Sequence, residues 1–374
     1  MLKGYRLRDY NFKLVFLVLI ACIFGTIVIN SADSSYTPKQ IIGLIFCLVV
    51  MGVVSLIDYH YFCKLWIVLY ILNLIMLLGV IPFGKTVNGA RRWYGIGNSI
   101  TIQPSEFTKV LIIICLAVLL TKFKDNLNTW KHLLIIAIFC AVPLLVIYKQ
   151  PHLSTTIDIF VLMLGMIFLA GLSYKLIGIV TLILVPASSL FFWYIQQPGQ
   201  KLLNDYMLGR ILAFRYPQDY QLSTGYQQDN SVMAIGSGML TGKGLTADTV
   251  ATVKDANLIS EQQTDFIFSV IGEELGFIGC VFIIAIILLI VLQCIRIARR
   301  AEDTEGMLIA AGVAILLCFQ TFINVGVATQ ILPNTGQPLP FVSYGLSSLL
   351  SCCGGIGLVL NVGLHKKKYL GETI

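Results

Sequence analysis

Ten runs of apolar residues, at 14–29, 41–57, 65–81, 107–120, 133–148, 153–172, 176–195, 266–295, 307–328 and 341–364, divide this 374-residue chain almost end to end. A bilayer core takes roughly 20 apolar residues per helical crossing, and only a helix or a closed barrel pairs its own backbone groups there. Runs of this length, joined by short polar links, predict an all-α polytopic membrane protein with about ten transmembrane helices. Composition closes off the soluble alternative: 12% of residues are charged and mean hydropathy is +0.84, whereas soluble domains carry about 25% charged residues. The chain reads as one integral membrane domain, 1–374. Its one long link, 196–265, is a large extracytoplasmic loop between the seventh and eighth spans.

The net charge of +7 is no sign of nucleic acid, because the basic residues flank apolar runs rather than forming one patch. Those flanks set an orientation. With the N-terminus inside, ten spans return the C-terminus inside. Fifteen of the 26 Lys and Arg then lie in inner segments, and five in short outer ones, which is the bias expected of cytoplasmic loops. Residues 1–13 are basic and no small-residue cleavage site follows the first run, so it reads as a retained span. The ten Cys lie mostly inside apolar runs without a Cys-x-x-Cys pair and read as small core residues. The four His are isolated, with no metal-ligand spacing.

Two outer links are out of character for simple connectors. Segment 83–106 carries Lys85, Arg91 and Arg92 against the orientation rule. Either an anionic ligand rewards them, since Arg grips phosphate bidentately, or they anchor headgroups beside interfacial Trp93 and Tyr94. The long loop contains a glycine-rich stretch, 235–244. It fails as a phosphate loop, with Ser237 where Gly is required and Gly244 after Lys243 where Ser or Thr is required. Tight turns packed on the membrane mouth are the expectation.

Ionisable residues inside spans are expensive and mark candidate sites. Glu106 and Lys109, three apart, share a helix face and are expected to form a structural ion pair. Glu273 and Glu274 lie about two turns into the eighth span, and Asp158 lies in the sixth with no cation close in sequence. Asp265 opens the eighth span. The helix dipole stabilises a carboxylate there by about 0.3–1 kcal/mol, which explains its position and not its use.

Together these residues resemble a known family. Asn88-Gly89-Ala90-Arg91-Arg92-Trp93, Gln103-Pro104-Ser105-Glu106 with Lys109, Ala234-Ile235-Gly236-Ser237-Gly238 with Gly242-Lys243-Gly244, Thr264-Asp265-Phe266-Ile267-Phe268 with Gly272-Glu273-Glu274-Leu275-Gly276, and Pro338-Leu339-Pro340-Phe341 with Ser343-Tyr344-Gly345 are similar to the signatures of the SEDS family (RodA, FtsW, SpoVE), most of all RodA. The resemblance implies a peptidoglycan glycosyltransferase in the bacterial cytoplasmic membrane. Such an enzyme polymerises lipid II, an undecaprenyl-diphosphate-linked disaccharide peptide, at the outer face during elongation, division or spore-cortex synthesis. It implies a class B penicillin-binding protein as partner, together with elongation or division machinery. Asp265 is implied as catalytic base, with Arg91, Arg92, Trp93, Gln150, His152, Lys243, Glu273 and Ser343 at the substrate. No cofactor is required by the sequence. A divalent cation, magnesium or manganese, would bridge the diphosphate, though no ligand cluster marks its place. The family's Lys-x-Gln-Pro-Asp-Leu-Gly-Thr stands here as Lys149-Gln150-Pro151-His152-Leu153-Ser154-Thr155. Gln330, Asn334, Gln337 and Leu346 also depart from the pattern. A lipid II transporter and a non-catalytic scaffold for a transpeptidase are the alternatives. The clustering of polar residues in the outer half of the bundle favours the enzyme.

Overall fold

A computed structural model describes residues 9–87, 90–96, 100–150, 152–197, 200, 205–216, 225–245, 259 and 261–365. Asn88, Gly89 and Pro151 of the sequence motifs, the basic residues before Asp9 and the lysines at 366–368 lie outside them. Helices occupy all ten apolar runs: α1 (Phe12–Ala32), α2 (Thr37–Leu56), α4 (Trp66–Phe83), α5 (Pro104–Lys122), α6 (Trp130–Lys149), α7 (Leu153–Leu169), α8 (Tyr174–Tyr194), α11 (Ile267–Arg300), α12 (Thr304–Ala328) and α13 (Leu346–Leu364). The short α3 (Tyr59–Lys64) joins α2 to α4, while α9 (Asp205–Arg215) and α10 (Tyr226–Ser237) lie in the long loop. Among the described residues nine helices are long and apolar enough to cross a membrane, and α7 is a shorter apolar helix. The protein is a multi-pass helical membrane protein.

Burial sorts these helices. Most of α5, α12 and α13 is enclosed by neighbours, whereas none of Tyr174–Phe191 is buried. The apolar side chains of α8 (Leu182, Ile183, Leu190) therefore face lipid, where an apolar surface is at no disadvantage. Two ends of the bundle follow from the connections. Gln262 donates to the carbonyl of Ala32 (3.1 Å), and the rings of Tyr36 and Tyr344 meet edge to face. The C-terminus of α1 and the starts of α2, α11 and α13 thus share one end, which also holds Asp265. Asp58, Asp303 and His365 share the other.

Two local features depart from a plain bundle. Segment 83–106 forms a three-stranded antiparallel sheet, β1 (Lys85–Val87), β2 (Ala90–Ile96) and β3 (Ile100–Ile102), with Thr86 opposite Arg91 and Tyr94 opposite Ile102. A folded sheet pairs the backbone of a polar loop lying on the bundle mouth. The second feature is a break in α11 at Gly276 (φ 64°, ψ −161°). The glycine-rich stretch fills the gap. Lys243 and Gly244 donate their N–H groups to the carbonyls of Glu273 and Glu274, and Phe277 and Ile278 donate to Met239 and Leu240. The helix groups stranded by the break are thereby bonded, as the expectation of turns packed on the mouth requires. Gly242 (φ 79°) and Gly276 have no alternative residue: a Cβ on either would overlap the backbone of the other segment.

Candidate active site

Three successive carbonyls, at Gln263, Thr264 and Asp265, fix the entry to α11. Gln263 accepts from the Tyr344 N–H (2.9 Å), Thr264 from the Ser343 hydroxyl (2.6 Å) and Asp265 from the Asn324 amide (2.8 Å). Ser343 Oγ also accepts from Leu339 N–H (2.7 Å), and Asn324 donates again to the Gln337 carbonyl (2.7 Å). The segment carrying Asp265 is thus held through its backbone by α12 and by the 337–344 turn, leaving the carboxylate itself for other work.

Asp265 is half-buried, and its carboxylate sits beside the Arg210 guanidinium. A Cβ placed on Gly336 would lie 3.0 Å from Asp265 Oδ2 and 3.3 Å from Arg210 Nη1, so both charges converge where Gly336 (φ 73°) carries no side chain. Crowding by protein pushes the Asp265 pKa up to about 6, against the pull of Arg210 and, more weakly, of Arg92. Desolvation wins because the guanidiniums do not fully replace the water lost.

The strand β2 decides which arginine reaches this region. Successive residues of a strand point to opposite faces. Arg92 is buried and donates Nε to the Gln150 carbonyl (3.3 Å), whereas Arg91 is exposed and donates to the Ile81 carbonyl (2.7 Å) at the end of α4. The structure therefore brings Arg92 to the site and turns Arg91 away. Trp93, half-buried, lies with its ring 6.0 Å from the Arg92 guanidinium. Gln150, buried, donates its amide to the Leu77 carbonyl (2.7 Å) and is a strut of the wall.

His152 is buried in that wall. The Gln103 side-chain nitrogen lies 3.1 Å from its Nε2. Burial, then the charges of Arg92, Lys109 and Arg210, hold its pKa well below the ordinary value. His152 is therefore a neutral ring across the physiological range, not an added cation at an open mouth. Lys243 and Glu273 pair with each other at 2.7 Å, with Glu273 buried. Glu274 accepts from the Ser31 hydroxyl (2.6 Å). These residues belong to the break in α11, so Lys243 answers a buried carboxylate there.

The expected Glu106–Lys109 pair is formed, at 2.8 Å, with both side chains buried. Asp158 joins it from α7, 3.5 Å from Lys109 Nζ. Its cation was remote in sequence and adjacent in space. Three further contributors had no motif to announce them: Arg210 in α9, Asn324 in α12 and Gly336. Asn324 carried the one usable signal, a polar side chain inside an apolar run. Three of the departures near the C-terminus make side-chain hydrogen bonds. Gln330 donates to Asp229 (2.8 Å), Asn334 to Gln227 (3.3 Å) and Gln337 to Thr155 (3.4 Å).

Residues 11–368 match the sequence profile of the FtsW/RodA/SpoVE cell cycle proteins. The chain belongs to this family. Similar relatives include peptidoglycan glycosyltransferase MrdB of Escherichia coli K12, 33% identical over 362 residues, covering 96% of this chain and 94% of the relative. The probable peptidoglycan glycosyltransferase FtsW of a Geobacter species is also 33% identical, covering 97% and 99%. Among solved structures, a chain from a peptidoglycan synthase complex that coordinates polymerization and crosslinking superposes with a TM-score of 0.76 at 26% identity, covering 95% of this chain and 97% of that one. A mutant of the rod shape determining protein RodA of Thermus thermophilus gives 0.70 at 25% identity, covering 96% and 99%. The SEDS resemblance and the polytopic fold are thus both borne out.

Proposed function

We propose that this SEDS protein is a peptidoglycan glycosyltransferase that polymerises lipid II at the outer face of the bacterial cytoplasmic membrane, with Asp265 as general base. The observation that carries the reading is the convergence of the Asp265 carboxylate and the Arg210 guanidinium at Gly336, on a segment pinned through three backbone carbonyls. Deprotonated Asp265 takes the proton of the acceptor sugar hydroxyl as its oxygen attacks the anomeric carbon of the donor. The bond to the diphosphate breaks, and Arg210 and Arg92 meet the charge growing on the leaving oxygens. A carboxylate raised to about 6 is mostly ionised near neutrality and still a stronger base than an ordinary Asp.

The outward orientation is supported by the distribution of basic residues, which favours the Asp265 end outside. A divalent cation at the diphosphate stands outside this mechanism. Among the described residues no three His, Cys, Asp or Glu donors converge at Asp265, whose carboxylate shares the space at Gly336 with the Arg210 guanidinium. No step is routed through one. The synthase complex of the structural relative supports a transpeptidase partner, which we take to be a class B penicillin-binding protein. The deciding experiment is lipid II polymerisation by the purified protein with its cognate transpeptidase. Wild type is expected to make glycan strands and Asp265→Asn none. A wild type that makes no glycan yet moves lipid II across proteoliposomes would establish the transporter instead.

A further inference from the structure

At the end of the bundle opposite Asp265, three connections distant in sequence bring together Asp58 before α3, Asp303 before α12 and His365 after α13, with His60 between them. The sequence shows only isolated histidines. In space the His60 and His365 rings are 5.7 Å apart, centre to centre. His60 Nδ1 lies 2.7 Å from Asp58 Oδ1, and His365 Nε2 lies 3.7 Å from Asp58 Oδ2. One donor atom each from Asp58, His60 and His365 falls within 4.8 Å of the other two. Zinc bonds of about 2.0–2.2 Å to N and O place tetrahedral ligand atoms roughly 3.3 Å apart, between the two separations found here.

The outer partners are also in place. A metal-bound His needs its other ring N–H held by an acceptor, which fixes tautomer and ring orientation. His60 Nε2 lies 2.9 Å from Asp303 Oδ2, and His365 Nδ1 lies 3.1 Å from the Asn361 carbonyl. Each ring thus turns one nitrogen to an acceptor and the other toward Asp58. Helix capping accounts for part of the cluster: Asp58 Oδ1 caps the His60 N–H and Asp303 Oδ1 caps the Gly306 N–H. Capping explains neither the use of both remaining carboxylate oxygens by imidazoles nor the approach of His365 from the far end of the chain. The side chains of Asp58, His60 and His365 keep 34%, 38% and 18% of their surface exposed, so an ion can enter and a water can complete its shell.

We propose that Asp58, His60 and His365 form a zinc-class divalent metal site that staples the α2–α3 connection to the end of α13, with Asp303 and the Asn361 carbonyl as its orienting shell. The ion replaces the proton that lies between Asp58 and His60, which is released to solvent, and the fourth position is taken by water. The site is independent of the glycosyltransferase reading, since its ligands stand at the other end of the bundle.

The test uses the full-length protein, carrying no polyhistidine tag, in nanodiscs. It is stripped with a chelator and titrated with Zn²⁺ and with Co²⁺ as a spectroscopic probe. Wild type is expected to bind one equivalent of Zn²⁺, to give the visible bands of four-coordinate Co²⁺, and to melt at higher temperature with Zn²⁺. His60→Gln and His365→Gln should each lose all three responses. Asp303→Asn keeps a good capping residue and should weaken binding by about 10–100-fold. His132→Gln, at a histidine outside the cluster, should bind as wild type. Equal Zn²⁺ uptake by wild type and by the His60→Gln, His365→Gln double variant would overturn the site, as would equal loss in His132→Gln. Should either ligand variant melt early without metal, Asp303→Asn decides: unchanged affinity there rejects the orienting shell and the proposal with it.

Discussion

Glu106, Lys109 and Asp158 on one side, and Asp265 on the other, are charges placed in the same bundle under opposite constraints. In the first group two carboxylates close on one ammonium at 2.8 and 3.5 Å, and all three side chains are buried. They are held through their side chains and spent on each other. At Asp265 the chain holds the backbone instead, through Ser343, Asn324 and Tyr344, and leaves the carboxylate beside Arg210. A charge consumed by a neighbour supports the fold, whereas one positioned by its main chain stays available to a substrate. The glycosyltransferase mechanism depends on that difference, and it can be attacked from either side.

The largest effect belongs to Asp265→Asn. Loss of a general base lowers rate by about 10²–10⁴-fold, whereas the dipole contribution of a carboxylate at a helix start is below about 1 kcal/mol. Polymerisation in a purified assay should collapse while the melting temperature and transpeptidase binding stay near wild type. The wild-type pH profile sharpens the point. The base must be deprotonated, so with a pKa of about 6 the rate should be flat above neutrality. It should fall about tenfold per unit as pH drops well below 6. A profile flat down to pH 4.5 would remove Asp265 as the base.

Next comes Lys109→Met, which strands two carboxylates in the bundle interior. Breaking a buried pair typically costs about 3–5 kcal/mol, so the variant should be recovered in low yield and unfold early. The companion triple variant Lys109→Met, Glu106→Leu, Asp158→Leu removes every charge at once and should regain most of the lost stability. If the single variant proves as stable as wild type, the cluster is not the structural element described here.

Arg210→Gln and Arg91→Gln divide the cations. Removing one preorganised donor to a developing charge lowers turnover by about 10²-fold, the loss expected for Arg210→Gln with little change in stability. Arg91 is exposed and donates to the end of α4, so Arg91→Gln should leave turnover near wild type and alter stability by no more than about 0.5 kcal/mol. Reversal of the two would return the diphosphate to the outer face of β2.

Much of this was legible before any coordinates. The apolar runs located all ten helices because the bilayer enforces both length and helicity. The i,i+3 spacing located the Glu106–Lys109 pair because a helix face is a local property. What stayed hidden is non-local. Nothing near Asp158 in sequence points to Lys109, and nothing in α9 points to Arg210, because those meetings are made by packing. The strand at 90–96 was unforeseen for a related reason: a short polar link carries too little periodicity to separate sheet from coil, and strand alternation is what divided Arg92 from Arg91. The histidine at 152 was readable as a departure from the family pattern, but its neutral state depends on burial first and then on surrounding cations, both of which only the fold supplies.

The smallest effect, and the one that joins the two regions, concerns His152 and Asp158. The family pattern has an acid at position 152, and this chain has a neutral ring whose pKa is held down by burial and by Arg92, Lys109 and Arg210. Asp158, a turn and a half further along α7, supplies a carboxylate to Lys109. Lys109 thus acts on both positions, as an ion-pair partner of Asp158 and as one of the charges beside His152. Restoring it by His152→Asp adds a third carboxylate to a cluster that already holds two, so the single variant should be destabilised. In an Asp158→Asn background the same change restores the charge count and should be better tolerated. For residues sharing a charge network such coupling is about 0.5–3 kcal/mol, and the lower end is expected here because Arg92 also draws on the new acid. A double-mutant cycle read by thermal unfolding and by polymerisation rate measures it. Strict additivity would mean that Asp158 and position 152 do not share Lys109, and that the histidine is an independent change in the wall of the site. His152→Asn, by contrast, replaces one neutral hydrogen-bonding group with another and should leave the pH profile set by Asp265 unmoved.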